Sequence, residues 1–142
     1  MTEIESYLTL LTGTHPSIQS IWLIGSRANG ASNVNSDWDL IVFATEDILQ
    51  NLQNCRSIHV KEIDLLVVYN CKGDFKKPWA EQDGNFKTGN LKDWGWQEQS
   101  ETKATYRQQW RKKGPTTSDG FTELDYCDER LIAQKVWPQR TC

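Results

Sequence analysis

Two aspartates, Asp37 and Asp39, stand two residues apart at the start of the apolar run Leu40 to Phe43. Alternate residues of a strand point to the same face, so we expect the two carboxylates side by side, with Cα atoms roughly 6.5 Å apart. Carboxylates this close repel each other unless a cation lies between them. The spacing therefore predicts a cation site at the beginning of a buried strand.

A Gly-Ser pair ends the apolar run that precedes these acids. The run Ile21–Ile24 is typical of a buried strand, and Gly25-Ser26 is typical of a turn with unpaired backbone N–H groups. Backbone N–H groups bind phosphate, and carboxylates bind Mg²⁺. The combination indicates nucleotide chemistry.

A third acid has the same local context as Asp39. Asp39 is followed by Leu-Ile-Val and Asp64 by Leu-Leu-Val. If the two strands are neighbours, Asp64 joins Asp37 and Asp39 in a three-carboxylate cluster, which can hold two Mg²⁺ about 3.5–4 Å apart. Glu62 shares the face of Asp64 under two-residue alternation and competes for the third position. We prefer Asp64 because its apolar run follows directly.

This ordered set resembles the polymerase-beta-type nucleotidyltransferase superfamily. Gly25-Ser26 is followed by ten residues, then Asp37-x-Asp39, then the strand-borne Asp64, and the short length is similar to the minimal nucleotidyltransferase branch. The resemblance implies a nucleotidyltransferase fold in which Gly25 and Ser26 bind the terminal phosphates of a nucleotide. It also implies that Asp37 and Asp39 bind both metals, and that Asp64 binds the catalytic metal and helps to deprotonate the acceptor.

The resemblance covers residues 18–69 and implies an activity. The expected reaction is Mg²⁺-dependent transfer of a nucleoside monophosphate, AMP from ATP, to a hydroxyl group, with release of pyrophosphate. Arg27 could reach a phosphate oxygen with its forked guanidinium, or it could form a surface ion pair. The alternative function is that of an antitoxin of the minimal branch, which binds a helical HEPN-domain toxin and modifies it. A third reading, transfer to RNA, has only a basic run in its favour.

The apolar patterning predicts an α/β (α+β) fold with a small mixed sheet of three to five strands and helices on one face. We expect a single domain over residues 1–142, with its motif-bearing core at 18–69 and an irregular, Trp-rich and basic segment at 70–120. Part of that segment, 96–111, could be a strand or a helix. The predicted elements are a helix at 3–12, strands at 18–24, 38–44 and 58–69, a helical turn at 26–29, a helix at 45–51 and a closing helix at 121–137.

The two halves of the chain differ in their balance of acidic and basic residues. Its net charge is −3, but residues 1–70 carry eight acidic and three basic side chains, whereas 71–142 carry eleven acidic and thirteen basic ones. A solvated face is the preferred interpretation of the basic residues Lys103, Arg107 and 111–113, ahead of a contact with RNA or phosphate. The longest apolar runs are shorter than a membrane span, the N-terminus is acidic, and the cysteines form no C-x-x-C pair, so we expect a cytoplasmic protein.

Overall fold

The computed structural model describes residues 3–30, 32–33, 36–45, 47–79, 88–107, 109–111, 124–126 and 130–138. Its helices are α1 Glu3–Thr14, α2 Gly25–Ala28 and α3 Asp47–Gln53, with a 3₁₀ turn at Arg56–Ile58. Its strands are β1 Ser20–Ile24, β2 Trp38–Phe43, β3 Ile63–Val68, β4 Asp74–Lys76, β5 Thr88–Asn90, β6 Gln97–Glu98, β7 Lys103–Tyr106, β8 Gln109–Arg111, β9 Leu124–Tyr126 and β10 Leu131–Trp137.

Eight of these strands form one sheet, in the order β5-β4-β3-β2-β1-β10-β7-β6, and β8 pairs with β9 separately. The pair β2/β3 is parallel, and the other pairings are antiparallel. The prediction of a mixed sheet is confirmed, but the prediction of three to five strands is wrong. The additional strands have two to seven residues and lie mostly in the second half of the chain, where Gly and polar residues obscure the two-residue alternation.

The sheet buries apolar side chains on both faces. On one face, Leu40, Val42 and Leu65 pack with residues of α1 and α3. On the other face, Ile41 and Leu66 pack with aromatic side chains of the second half of the chain. Burial on both faces explains why the central strands read as continuous apolar runs. The helices α1 and α3 thus lie on one face, as predicted, and the carboxylates of the site lie on the other.

The end of the chain differs from the prediction. The expected closing helix at 121–137 is wrong, because 131–137 form β10, which lies between β1 and β7. Within β10, Ala133 is buried between the exposed residues Ile132 and Gln134, which is strand alternation. The free edge of β1 can then pair with β10, and that pairing outweighs a helical stripe read from sequence.

Five of the predicted elements are confirmed, and each of their ends lies within two residues of its predicted position. α1, β1, β2, α3 and the turn α2 lie where the sequence places them. The third strand starts at Ile63 rather than Ile58, because residues 56–58 form the 3₁₀ turn. The open question at 96–111 is decided in favour of strands.

Parts of three predicted segments lie outside the described residues. They are position 46 of the helix at 45–51, positions 80–87, 108 and 112–120 of the segment at 70–120, which include Lys112 and Lys113, and positions 121–123 and 127–129 of the closing helix. No helix in the described part of the chain is long and apolar enough to cross a membrane.

Candidate active site

Two of the predicted acids, Asp39 and Asp64, lie directly beside each other. The parallel pairing of β2 with β3 brings Asp39 into register with Asp64. Both side chains leave the sheet on the face opposite α1 and α3, since their neighbours Leu40 and Leu65 pack on the helical face. The repeated pattern of an acid followed by an apolar run therefore places two carboxylates at one point.

The electrostatics of this pair favour a proton or a cation. The pKa of Asp39 is raised from 3.8 to about 6, first by burial and then by the negative charges of Asp64 and Asp37. A hydrogen bond with the Asp64 side chain acts in the same direction, whereas Lys77 opposes it. A bound cation would relieve the same repulsion, so these two carboxylates fit a divalent metal ion.

Asp37 and Glu62 are exposed and lie just before β2 and β3. The negative charge of Asp37 contributes to the raised pKa of Asp39. Among the described residues, no three His, Cys, Asp or Glu side chains form a group that could hold a metal. Glu62 is exposed in the turn before β3, and its carbonyl accepts a hydrogen bond from Trp38 N–H. The structure thus places Asp64, rather than Glu62, against Asp39.

Gly25 brings the turn after β1 into contact with Asp39. Gly25 has φ +73°, and a Cβ added there would lie 2.5 Å from Asp39 Oδ2. A side chain would therefore meet both an unfavourable backbone conformation and a carboxylate. Only glycine allows this close approach of turn and acid.

The N–H group of Gly25 has a partner that the sequence did not suggest. It donates a 2.8 Å hydrogen bond to the hydroxyl of Tyr106, a fully buried residue of β7 that lies 81 positions further along the chain. We expected a spare N–H group for phosphate here, and the structure shows it occupied. The alternation of Ala104 and Tyr106 marks a strand, but nothing in the sequence connects that strand with Gly25.

Asn29 fixes the other end of the same turn. Its side chain exchanges two hydrogen bonds with the backbone of Ile132 in β10, accepting at 2.8 Å and donating at 3.1 Å. It also donates to the carbonyl of Gly25 at 2.8 Å. Nothing in the sequence around Asn29 indicates this link to the second half of the chain.

Arg27 contacts the segment between α2 and β2. Its Nε and Nη2 donate to the carbonyl of Ser36 at 3.0 and 2.7 Å, and its guanidinium lies over the Trp38 ring at 4.1 Å from the centroid. These contacts explain why Arg stands here, since its planar group combines stacking with two parallel donors. The phosphate contact considered for Arg27 stays a prediction.

Lys77 is a further site residue that the sequence analysis missed. Its Nζ lies 3.6 Å from Asp64 Oδ1. Together with Gly25, Asp39 and Asp64 it lines a small cavity of about 70 Å³, completed by Ile24, Leu40 and Leu66. A lysine just after a three-residue strand carries no spacing signal, so only the fold could reveal it.

The family of this chain follows from a comparison with known proteins. Residues 7–81 match the family model described as "Polymerase beta, Nucleotidyltransferase". The chain belongs to this nucleotidyltransferase family. A search of curated proteins found no match. The superfamily suggested by the sequence motifs is thereby confirmed, and its minimal branch stays a prediction.

The family match divides the site of this nucleotidyltransferase in two. Gly25, Asp39, Asp64 and Lys77 lie inside the matched residues, whereas Tyr106 and β10 lie outside. The acids and the turn thus belong to the family domain. The contacts that hold the turn from behind come from the rest of the chain.

Proposed function

We propose that this chain transfers a nucleoside monophosphate, AMP from ATP, to a hydroxyl group with the help of Mg²⁺. The observation that carries the proposal is the in-register pair Asp39–Asp64 in contact with the Gly25 turn. Acids that hold a metal beside a turn that approaches phosphate are the parts that nucleotidyl transfer needs. Family membership supports the reaction class.

In this proposal each residue has a defined task. Gly25 and Ser26 would orient the terminal phosphates, and Asp37, whose charge already acts on Asp39, would add a carboxylate to the metal site. The acceptor oxygen attacks the α-phosphorus, the bond from that phosphorus to the bridging oxygen breaks, and pyrophosphate leaves with the electron pair. The acceptor proton would pass to Asp64, which lies in register with Asp39.

Asp39 and Asp64 would hold the metal. When bound, Mg²⁺ supplies charge neutralisation for the phosphates and lowers the pKa of a hydroxyl group bound to it. The raised pKa of Asp39 fits this role, since burial and neighbouring acids make the ionised pair costly without a cation.

The antitoxin alternative keeps the same site and changes the acceptor. In that case the hydroxyl belongs to a side chain of a helical HEPN-domain toxin instead of a small molecule. Incubating the protein with labelled ATP and either a partner purified with it or a panel of small hydroxyl compounds separates the two. Label on the partner protein supports the antitoxin function, and label on a small molecule supports the stand-alone enzyme.

Substitution of the two paired acids tests the proposal. Asp39→Ala and Asp64→Ala should each reduce transfer of the labelled nucleotide by at least about 100-fold, because each removes one of the two carboxylates that hold the metal. Asp93→Ala is the matched control, since Asp93 is exposed and outside the site, and it should transfer at the wild-type rate. Wild-type transfer by both site variants, or no binding of ATP by the intact protein, would refute the proposal.

A further inference from the structure

The position of Lys77 is unusual for a surface lysine. Its side chain is 17% exposed, against 40% for Asp64, and the two form an ion pair at 3.6 Å. Lys77 follows Lys76, the last residue of β4, which pairs with Val67 of β3. Exposed ion pairs contribute little, because water solvates both partners. Here the lysine side chain is the more buried partner, and it lines the cavity at the site.

The cavity at the site is small, and the charged side chain of Lys77 lines it. Its volume is about 70 Å³, and Lys77 is the basic residue among the described residues that line it. Two carboxylates line it, those of Asp39 and Asp64, whereas Asp37 does not. Two acids and one ammonium thus surround a space with room for only a few water molecules.

Sites with two metal ions hold them about 3.5–4 Å apart. The ammonium of Lys77 lies 3.6 Å from Asp64 Oδ1, beside a carboxylate that would bind a metal. A divalent ion on Asp64 and a second one beside it would both face the lysine, and like charges at this separation repel strongly in a partly buried site. The protein therefore carries a cation of its own beside the two acids that would bind a metal.

We propose that Lys77 serves as the second cation of this site, so that a single divalent ion bridges Asp39 and Asp64 and the lysine contacts the triphosphate. The inference rests on the proposed function for the identity of the ligand, but the cation site itself can be tested without it. It departs from the two-metal arrangement that the family resemblance implies. If Lys77 were only a structural ion-pair partner, its removal would change stability without changing how many metal ions bind.

Metal binding, rather than activity, provides the test. Mn²⁺ bound to the full chain is counted by electron paramagnetic resonance, first alone and then with a non-hydrolysable ATP analogue. We expect one Mn²⁺ per chain in the wild-type complex with the analogue, and two in Lys77→Met. Without nucleotide, Lys77→Met should bind Mn²⁺ about tenfold more tightly, because a competing charge has been removed.

Two further variants control the experiment. Lys61→Met removes an exposed lysine from the turn before β3 and should behave as the wild type does. Lys77→Arg keeps the charge and should keep a single Mn²⁺. Two Mn²⁺ in the wild-type complex would overturn the inference and leave the proposed function intact, even if Lys77→Met failed to fold.

Two further outcomes of the Mn²⁺ experiment also test the inference. An unchanged Mn²⁺ affinity and count in Lys77→Met overturn the inference. If the wild-type chain binds neither Mn²⁺ nor the analogue while Lys77→Met gains Mn²⁺, the role of Lys77 as a built-in cation is supported and the proposed function fails.

Discussion

The two halves of this molecule contribute to the site in different ways. The family-matched residues, 7–81, supply the acids Asp39 and Asp64, the glycine of the turn and Lys77. The rest of the chain supplies β7 and β10, whose residues Tyr106 and Ile132 bond to the two ends of that turn. The first half thus carries the candidate reactive groups, and the second half holds the backbone of the turn beside them.

This difference shows which contacts position the acids and which contacts position the turn. The acids are positioned by adjacent strands of a buried sheet, which few substitutions can move. The turn is a four-residue helix that cannot hold itself, so it depends on hydrogen bonds from distant strands. Substitutions in the two halves should therefore have distinguishable effects.

The largest effect is expected from Gly25→Ala, which places a methyl group against Asp39 in the turn that the second half of the chain holds. The added methyl group would lie 2.5 Å from Asp39 Oδ2, on a backbone with φ +73°. We expect a loss of about 100-fold or more in nucleotide transfer and a destabilisation of about 2–3 kcal/mol, measured by kinetics and by urea unfolding.

Gly30→Ala is the matched control for that experiment. Gly30 also has φ +73°, but no atom lies within 4 Å of the added Cβ. It should show only the backbone cost of about 1 kcal/mol and retain transfer. Equal losses of activity in the two variants would show that backbone conformation alone matters, and that the contact with Asp39 does not.

A smaller effect is expected from Tyr106→Phe, which tests the contribution of the second half. The change removes the hydroxyl that accepts from Gly25 N–H and should destabilise the fold by about 1–2 kcal/mol. If Tyr106 holds the turn in place for phosphate, KM for the nucleotide should also rise severalfold, which loss of packing alone would not produce.

Tyr7→Phe is the control, because the buried Tyr7 hydroxyl has no hydrogen-bond partner among the described residues. Removing it should leave stability unchanged or raise it, since a buried hydroxyl without a partner is unfavourable. A similar rise in KM for both variants would argue against a special role of Tyr106.

The smallest effect concerns the pH dependence of the carboxylate pair in the metal-free protein. The pKa of Asp39 is about 6 in the fold against 3.8 otherwise, so the folded state binds more protons between these values. The free energy of unfolding should therefore fall as pH rises from about 4 to 6, by about 1 kcal/mol after allowance for solvent screening of this partly exposed group.

Thermal unfolding across this pH range provides the measurement. Asp39→Asn should remove the fall and unfold at a higher temperature than the wild type at pH 7. Asp74 provides a comparison of opposite sign, because hydrogen bonds from Asn70 and then Asn90 lower the pKa of its carboxyl. The stability that Asp74 contributes is lost as pH falls. If Asp39→Asn leaves the pH profile of the wild type unchanged, the fall in stability between about pH 4 and 6 does not come from Asp39.

Some features of the site could be predicted from the sequence because they depend on local patterning. The strands β1, β2 and β3 are apolar runs bounded by polar residues, and each acid stands where its run begins. Gly25-Ser26 is placed by the end of β1. The pairing of Asp39 with Asp64 followed from two similar segments, once they were assumed to be neighbours.

Other features were decided only by the tertiary structure, because they depend on contacts between distant segments. The hydrogen bond from Gly25 to Tyr106 spans 81 positions, and β10 is a strand because β1 offers it a free edge. Lys77 reaches Asp64 through the pairing of β3 with β4. Periodicity describes how one segment meets its surroundings, but not which segment it will meet. The sequence by itself thus determined the reactive groups, and the fold decided how they are held and which cation lies among them.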